Sequence, residues 1–198
     1  LAVGYWLSAI QPVISDRDFE FKIRNLPLGG INQHMEKDRL RIEKAAEKDV
    51  PMLLSFIKEL AEYEKLSHLV VATEEVLKRS LFGENPPAEA VIAYYQDHAA
   101  GFALFFQNFS TFLGRAGIYL EDLYVQPAMR GKGIGRALLA HLAGVARSRD
   151  CGRLEWAVLD WNEPAIRFYR SLGAAPLNDW IVFRLTGEPL QRLAESEG

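Results

Sequence analysis

The run Arg130-Gly131-Lys132-Gly133-Ile134-Gly135 sets glycines at alternate positions beside two cations, a composition suited to holding a pyrophosphate. Without a Cβ, glycine lets the main chain come close to a phosphate. Where such a turn opens a helix, the unpaired N–H groups of the first turn and the helix dipole stabilise negative charge. Arg130 and Lys132 add cationic partners. Two rival phosphate motifs do not fit. The glycine run is followed by Arg136 rather than the Lys-Ser/Thr pair of a P-loop, and the same arginine breaks the G-x-G-x-x-G dinucleotide fingerprint. A glycine turn that merely starts a helix is the plainer alternative.

Upstream, Glu121 and Asp122 stand side by side inside the apolar run Leu120 to Val125. Consecutive strand side chains point to opposite faces, so at least one of the two faces packed structure or a cleft. A buried carboxylate is costly unless paired, hydrogen-bonded or protonated, and such groups gather at functional sites. We read Glu121 as a general base acting through water on an incoming ammonium, and Asp122 as the group that holds a positively charged substrate. A structural ion pair is the alternative. Downstream, Asn162, Ile166 and Tyr169 fall at i, i+4 and i+7 and share a helix face beside the apolar stripe Ala165, Phe168 and Leu172. By pattern alone Tyr169 is also consistent with a core aromatic whose hydroxyl is satisfied. Tyr63-Glu64 and Asp179-Trp180 supply further carboxylates and aromatic rings, which suit a flexible cation.

These residues need a scaffold, and the periodicity from Arg39 onward supplies one. Leu40 to Ile42 is a short strand. Asp49 caps a helix with Pro51 in its first turn, running to about Tyr63, with Val50, Leu53, Leu54, Ile57, Leu60 and Ala61 on its buried face. Thr73 caps a second helix, which Asn85-Pro86-Pro87 blocks. Ala90 to Tyr95 and Gly101 to Phe106 are β-rich and close enough for an antiparallel hairpin. Ile118 to Val125 is a strand, Gly131 to Arg149 a helix, Leu154 to Leu159 a strand, Pro164 to Leu172 a helix stopped by Gly173, and Trp180 to Leu185 a final strand. The order is mixed α/β. Residues 1–38 lack a sustained period and end near the breaker Pro27-Leu28-Gly29-Gly30. They read as an N-terminal appendage to a domain spanning 39–198, with Met35 as the native start; a real N-terminal arm that packs on the domain or on a partner is the alternative.

Composition narrows the class of function. The 198 residues, 49% of them hydrophobic, suffice for one domain with a full core. A net charge of −3 with dispersed basic residues gives no stripe for tracking nucleic acid. No apolar run is long enough to span a membrane, and the opening segment lacks the basic region and cleavage site of a secretory signal. The single cysteine, Cys151, excludes an internal disulfide and reads as packed rather than reactive, in keeping with a cytoplasmic protein. The histidines His34, His68, His98 and His141 lack ligand spacing, so no metal is expected.

With these residues in place, Arg130-Gly131-x-Gly133-x-Gly135 resembles the acetyl-CoA motif of the GNAT superfamily of N-acetyltransferases. Leu120-Glu121-Asp122 and Trp161-Asn162-Glu163-Pro164-Ala165-Ile166-Arg167-Phe168-Tyr169 are similar to its diamine and thialysine branch, a likeness covering roughly Arg39 to Ala194. The resemblance implies a central, mostly antiparallel mixed sheet, flanked by helices and splayed at the acetyl-CoA site. It implies acetyl-pantetheine bound by the backbones of Leu123 and Val125, pyrophosphate bound by Arg130, Gly131, Lys132, Gly133, Ile134 and Gly135, and a cofactor contact from Asn162. Tyr169 would protonate the departing thiolate, with Glu121 as base. Tyr63, Glu64, Asp122 and Trp180 would bind a small primary amine, and the protein would be a homodimer. The loop from Ala174 to Asp179 is shorter than in the diamine enzymes, and Lys65 brings a like charge near the amine. Both departures leave thialysine-like amino acids, or another small amine, as candidates. A non-catalytic acyl-CoA sensor is the alternative, but it would not need Glu121 and Tyr169.

Overall fold

A computed structural model describes residues 40–196, so the appendage, and with it Met35 and His34, lies outside the described residues. Strand β1 (Leu40–Lys44) leads through a 3-10 turn at Glu47–Asp49 into helix α1 (Val50–Tyr63). Asp49 is the N-cap of that helix, but its carboxylate accepts instead from the Ala46 N–H at 2.8 Å and closes the preceding turn. Helix α2 (Glu74–Phe82) starts where Thr73 predicts, its hydroxyl accepting from the Val76 N–H at 3.2 Å.

Strands β2 (Glu89–Tyr95), β3 (His98–Ser110) and β4 (Arg115–Val125) follow, then helix α3 (Ile134–Ser148), strand β5 (Leu154–Trp156), helix α4 (Glu163–Ser171) and helix α5 (Gly187–Glu195). The β2–β3 hairpin turns on Gln96 and Asp97, both at positive φ (51° and 64°), the geometry that matches the twist of paired strands. The sheet runs in the order β1-β2-β3-β4-β5, antiparallel except for the parallel β4–β5 edge.

Each face of the sheet has its own core. Helix α3 lays Ile134, Leu138, Leu139, Leu142 and Ala146 against Val91, Ala103, Phe105, Ile118 and Leu120. Helix α1 covers the other face, where Leu53 and Phe56 pack with Ile92, Phe102 and Tyr124. Phe56 lies outside the stripe that spacing alone picks out. It is buried because its ring stacks on Phe102, with centroids 6.0 Å apart.

Two features of this sheet position the site. Leu104 pairs with Asp122 and Phe105 with Leu120, so Glu121 is the extra residue of a β-bulge. The β4–β5 ladder ends at Leu120 opposite Trp156, while β4 continues to Val125. The two strands therefore part beside residues 121–125.

The C-terminal part differs from the sequence expectation. Trp180 to Leu185 forms no strand; Ile181, Val182 and Phe183 are about four-fifths or more exposed (78%, 82% and 90%). β-propensity describes a fit to a pleated, half-buried surface, and no strand edge pairs with this run among the described residues. The β5 strand likewise stops at Trp156 rather than Leu159, where its ladder with β4 ends.

Candidate active site

The glycine turn takes the shape that its composition requires. Gly131 and Gly133 have φ of 78° and 79°, in the left-handed region, and a Cβ at either would meet nothing within 4 Å. Open space therefore faces both glycines. Helix α3 begins only at Ile134, three residues later than periodicity suggests, because Gly133 is its left-handed N-cap. The N–H groups of residues 131–136 have no backbone acceptor among the described residues, as expected of a first helical turn that awaits an anion.

The cations beside the turn are held by aromatic rings. Arg130 donates through Nε to the Val125 carbonyl at 3.1 Å, and its guanidinium lies over the Tyr63 ring, 4.7 Å from the centroid. The Lys132 ammonium lies 5.1 Å from the Tyr95 centroid. Such contacts contribute about 0.5–1 kcal/mol at exposed sites, little enough to be exchanged for a phosphate.

Tyr63 closes the end of α1. Its hydroxyl donates to Asn162 Oδ1 at 3.1 Å, and its ring tilts against Trp161 with centroids 6.1 Å apart. Asn162 is buried and is the N-cap of α4, since the same Oδ1 accepts from the Ala165 N–H at 3.4 Å. Lys65, whose like charge stood out in the sequence, has its ammonium 5.9 Å from the centroid of the Trp161 ring that packs on Tyr63.

Helix α4 carries Tyr169 into the gap where β4 and β5 part. Its ring lies between Trp156 (5.0 Å between centroids) and Phe168 (5.4 Å). Gly173, at φ 88°, ends the helix in a left-handed cap, with the Ala174 N–H returning to the Tyr169 carbonyl at 3.2 Å. Burial, then the Glu64 charge, pushes the Tyr169 phenol up to about 12, so it carries its proton throughout the physiological range. Trp156, which fixes the Tyr169 ring, drew no notice in the sequence; a strand of three residues is too short to show alternation.

Of the acidic pair, Asp122 faces the protein and Glu121 stands exposed on the bulge. Burial first, then the charges of Glu121 and Glu64, push Asp122 from 3.8 up to about 6. Glu64 is itself raised by burial. Tyr63 thus touches both Arg130 and Asn162, and the Glu64 charge acts on both Asp122 and Tyr169, whereas Trp180 lies in the strandless C-terminal run, 62% exposed.

The raised Asp122 favours the neutral carboxyl in the folded chain. The stability this confers is complete below about pH 4 and is lost as pH rises through about 6. Asp122→Asn, permanently neutral, should escape the loss. Urea unfolding at both ends of this range should show the variant gaining on the wild type by up to about 3 kcal/mol as pH rises. A gap that does not widen would mean that Asp122 ionises as freely as in the unfolded chain.

Comparison with known proteins completes the description of the site. The family model described as "Acetyltransferase (GNAT) family" matches residues 55–174, which take in the parted strands, the glycine turn and α4. The chain is 41% identical over 165 residues to thialysine N-epsilon-acetyltransferase of Mus musculus, covering 78% of this chain and 96% of that one. It is 32% identical to an L-ornithine N5-acetyltransferase of Arabidopsis thaliana, covering 77% and 87%. Among solved structures, an integron cassette protein from the mobile metagenome of V. cholerae superposes with a TM-score of 0.67 at 30% identity, covering 79% of this chain and 98% of that one.

Proposed function

The chain belongs to the acetyltransferase (GNAT) family, and on that premise we propose that it transfers the acetyl group of acetyl-CoA to the primary amine of a small cationic acceptor, a lysine- or ornithine-like amino acid or a diamine. The observation that carries this reading is the meeting of a protonated phenol and two perturbed carboxylates, Tyr169, Asp122 and Glu64, where β4 and β5 part beside the glycine turn.

The residues fit the cofactor. Gly131 and Gly133 leave open a cradle that a Cβ would fill, and Arg130 and Lys132 flank it. Arg130, Gly131, Lys132, Gly133, Ile134 and Gly135 would hold the pyrophosphate. The Leu123 and Val125 backbones, beyond the end of the β4–β5 ladder, would face the pantetheine arm. Asn162 spends its Oδ1 on Tyr63 and the α4 cap, which leaves its amide N–H groups for the cofactor.

Acetyl-CoA supplies an activated thioester, and the chain's own groups supply positioning and proton transfer. Asp122 and Glu64 hold the incoming ammonium. Glu121, exposed at the bulge, takes one of its protons through water and passes it to solvent. The neutral amine would then form the new C–N bond as the C–S bond breaks; Tyr169 Oη would give its proton to the sulfur, and the remaining proton on the acylated nitrogen would leave to solvent while the phenol is reprotonated, so that the products are the amide and the free thiol. Tyr63 would wall the acceptor cleft.

We favour a homodimer as the working form. Ile181, Val182 and Phe183 support it, because a contiguous exposed apolar run is the kind of patch that marks an interaction surface. A screen for free CoA across lysine, thialysine, ornithine, diamines and polyamines tests the activity. At least one amine should release CoA well above the rate without amine; silence from the whole panel would refute the reading. Light scattering on the same preparation should give twice the chain mass, and a single-chain mass would refute the dimer.

A further inference from the structure

Back along β4 from Asp122, Tyr119 and Phe106 lie outside the core that α1 and α2 pack against the sheet. The register sets Asp122 opposite Leu104, Tyr119 opposite Phe106, and Glu155 beside Tyr119, so these side chains share one face. Tyr119 and Phe106 form its aromatic floor, with ring centroids 5.2 Å apart. Burial raises the Tyr119 phenol, the charges of Glu121 and Glu155 raise it further, and the Arg184 cation opposes them. Glu121 and Glu64 in turn act on Asp122, and Glu64 acts on Tyr169. Asp122, Tyr119 and Glu155 therefore form one strip along β4 and β5.

At the far end of the strip stands a charge pair with unfinished hydrogen bonding. Arg153 Nε lies 2.8 Å from Glu155 Oε2, and both side chains remain about one-third exposed (33% and 27%). Asn108 Nδ2 donates to the same Glu155 oxygen at 3.0 Å. Asn108 Oδ1 is nevertheless buried without a donor, and Arg153 Nε has no acceptor in hydrogen-bonding geometry. Buried polar groups are ordinarily satisfied, so a donor and an acceptor left over side by side are unusual. Gly117 makes the cluster possible: a Cβ there would sit 2.4 Å from Asn108 Oδ1 and 2.9 Å from Arg153 Cγ.

We propose that Arg153 and Glu155, braced by Asn108, form a subsite for the zwitterionic head of an α-amino acid acceptor, its α-carboxylate on Arg153 and its α-ammonium on Glu155. The inference rests on the reading that the chain acetylates a small amine, and it names the class of amine. Charge decides between a zwitterion and a second lone ammonium. A Glu155 already neutralised by Arg153 offers a diamine little, whereas the pair as a whole matches a dipolar head of the opposite sense.

The test compares each amino acid with the diamine left by its decarboxylation, lysine with cadaverine and ornithine with putrescine, as ratios of kcat/KM on one preparation. Loss of folded protein cancels in such a ratio. The wild type should prefer the amino acids. Arg153→Gln should lower the ratio about 10- to 100-fold, the scale of one charge-assisted hydrogen bond, since it removes the carboxylate's partner and frees Glu155 for an ammonium. Glu155→Gln should move the ratio the other way, because an unneutralised guanidinium repels the second ammonium of a diamine. A wild-type preference for diamines, or ratios unmoved in both variants, would overturn the subsite while leaving the activity standing. No CoA release from any amine would overturn the activity and the subsite together.

Discussion

Tyr169→Phe should leave acetyl-CoA affinity nearly intact and lower kcat by about 10²-fold or more, the usual scale for loss of a general acid. The substitution removes one hydroxyl from a ring that Trp156 and Phe168 hold in place, so the packing of α4 is preserved. Burial and Glu64 keep the phenol protonated, with its pKa pushed up to about 12. A solvent-exposed acid of ordinary strength would leave a titration in the rate, but Tyr169 should leave none below about pH 10. The defect of Tyr169→Phe should therefore be the same at every pH in the working range. Glu121→Gln should behave differently. Its rate should fall most at low pH, where the acceptor ammonium most needs a base, and recover as rising pH supplies free amine. Steady-state rates of both variants across pH, with the best amine found, separate the two roles. Wild-type kcat in both variants would show that another acid and another base do this work.

The parts of the fold that sequence makes legible are those fixed by near neighbours. The α1 stripe, the Thr73 cap, the hairpin at Gln96-Asp97 and the Gly173 stop each depend on contacts within a few residues, and each is present in the structure. The site is legible for the same reason where a turn makes it: Arg130 to Gly135 carries its own conformational requirement. What escapes is non-local. Strand-like composition at Trp180 to Leu185 says nothing about which edge could receive it, and neither edge of the described sheet, β1 or β5, pairs with it. The bulge that singles out Glu121 arises from register against β3, which no pattern within β4 displays. The sequence reading places no helix at Gly187–Glu195, although Leu190 and Leu193 are spaced for one and Glu188 pairs with Arg192 one turn on, because the strand expected at Trp180 to Leu185 occupies the segment before it. The Arg153–Glu155 pair also went unnoticed, since its meaning lies in Asn108, which β3 brings beside it from a distant part of the chain.

Gly133→Val should abolish measurable acetyl-CoA binding while the domain stays folded. Gly133 sits at φ 79°, a conformation that a β-branched residue adopts only at a cost of about 1–3 kcal/mol. The built Cβ meets no protein atom within 4 Å, so the new side chain clashes with nothing in the core. It projects into the space through which a phosphate would reach the N–H groups of α3. Backbone strain and blocked approach must be told apart, and Gly114 provides the control. It has φ 60°, its Cβ position is also open, and it lies in the β3–β4 turn away from the glycine-rich segment. Gly114→Val should lower the melting temperature about as much as Gly133→Val but bind acetyl-CoA like the wild type. Calorimetric titration of the three proteins with acetyl-CoA decides between the two causes, with a loss of at least about 100-fold, or 2.7 kcal/mol, expected for Gly133→Val alone. Wild-type affinity in that variant would remove the pyrophosphate from this turn, and with it the placement of the thioester between β4 and β5 on which the roles of Tyr169 and Glu121 depend.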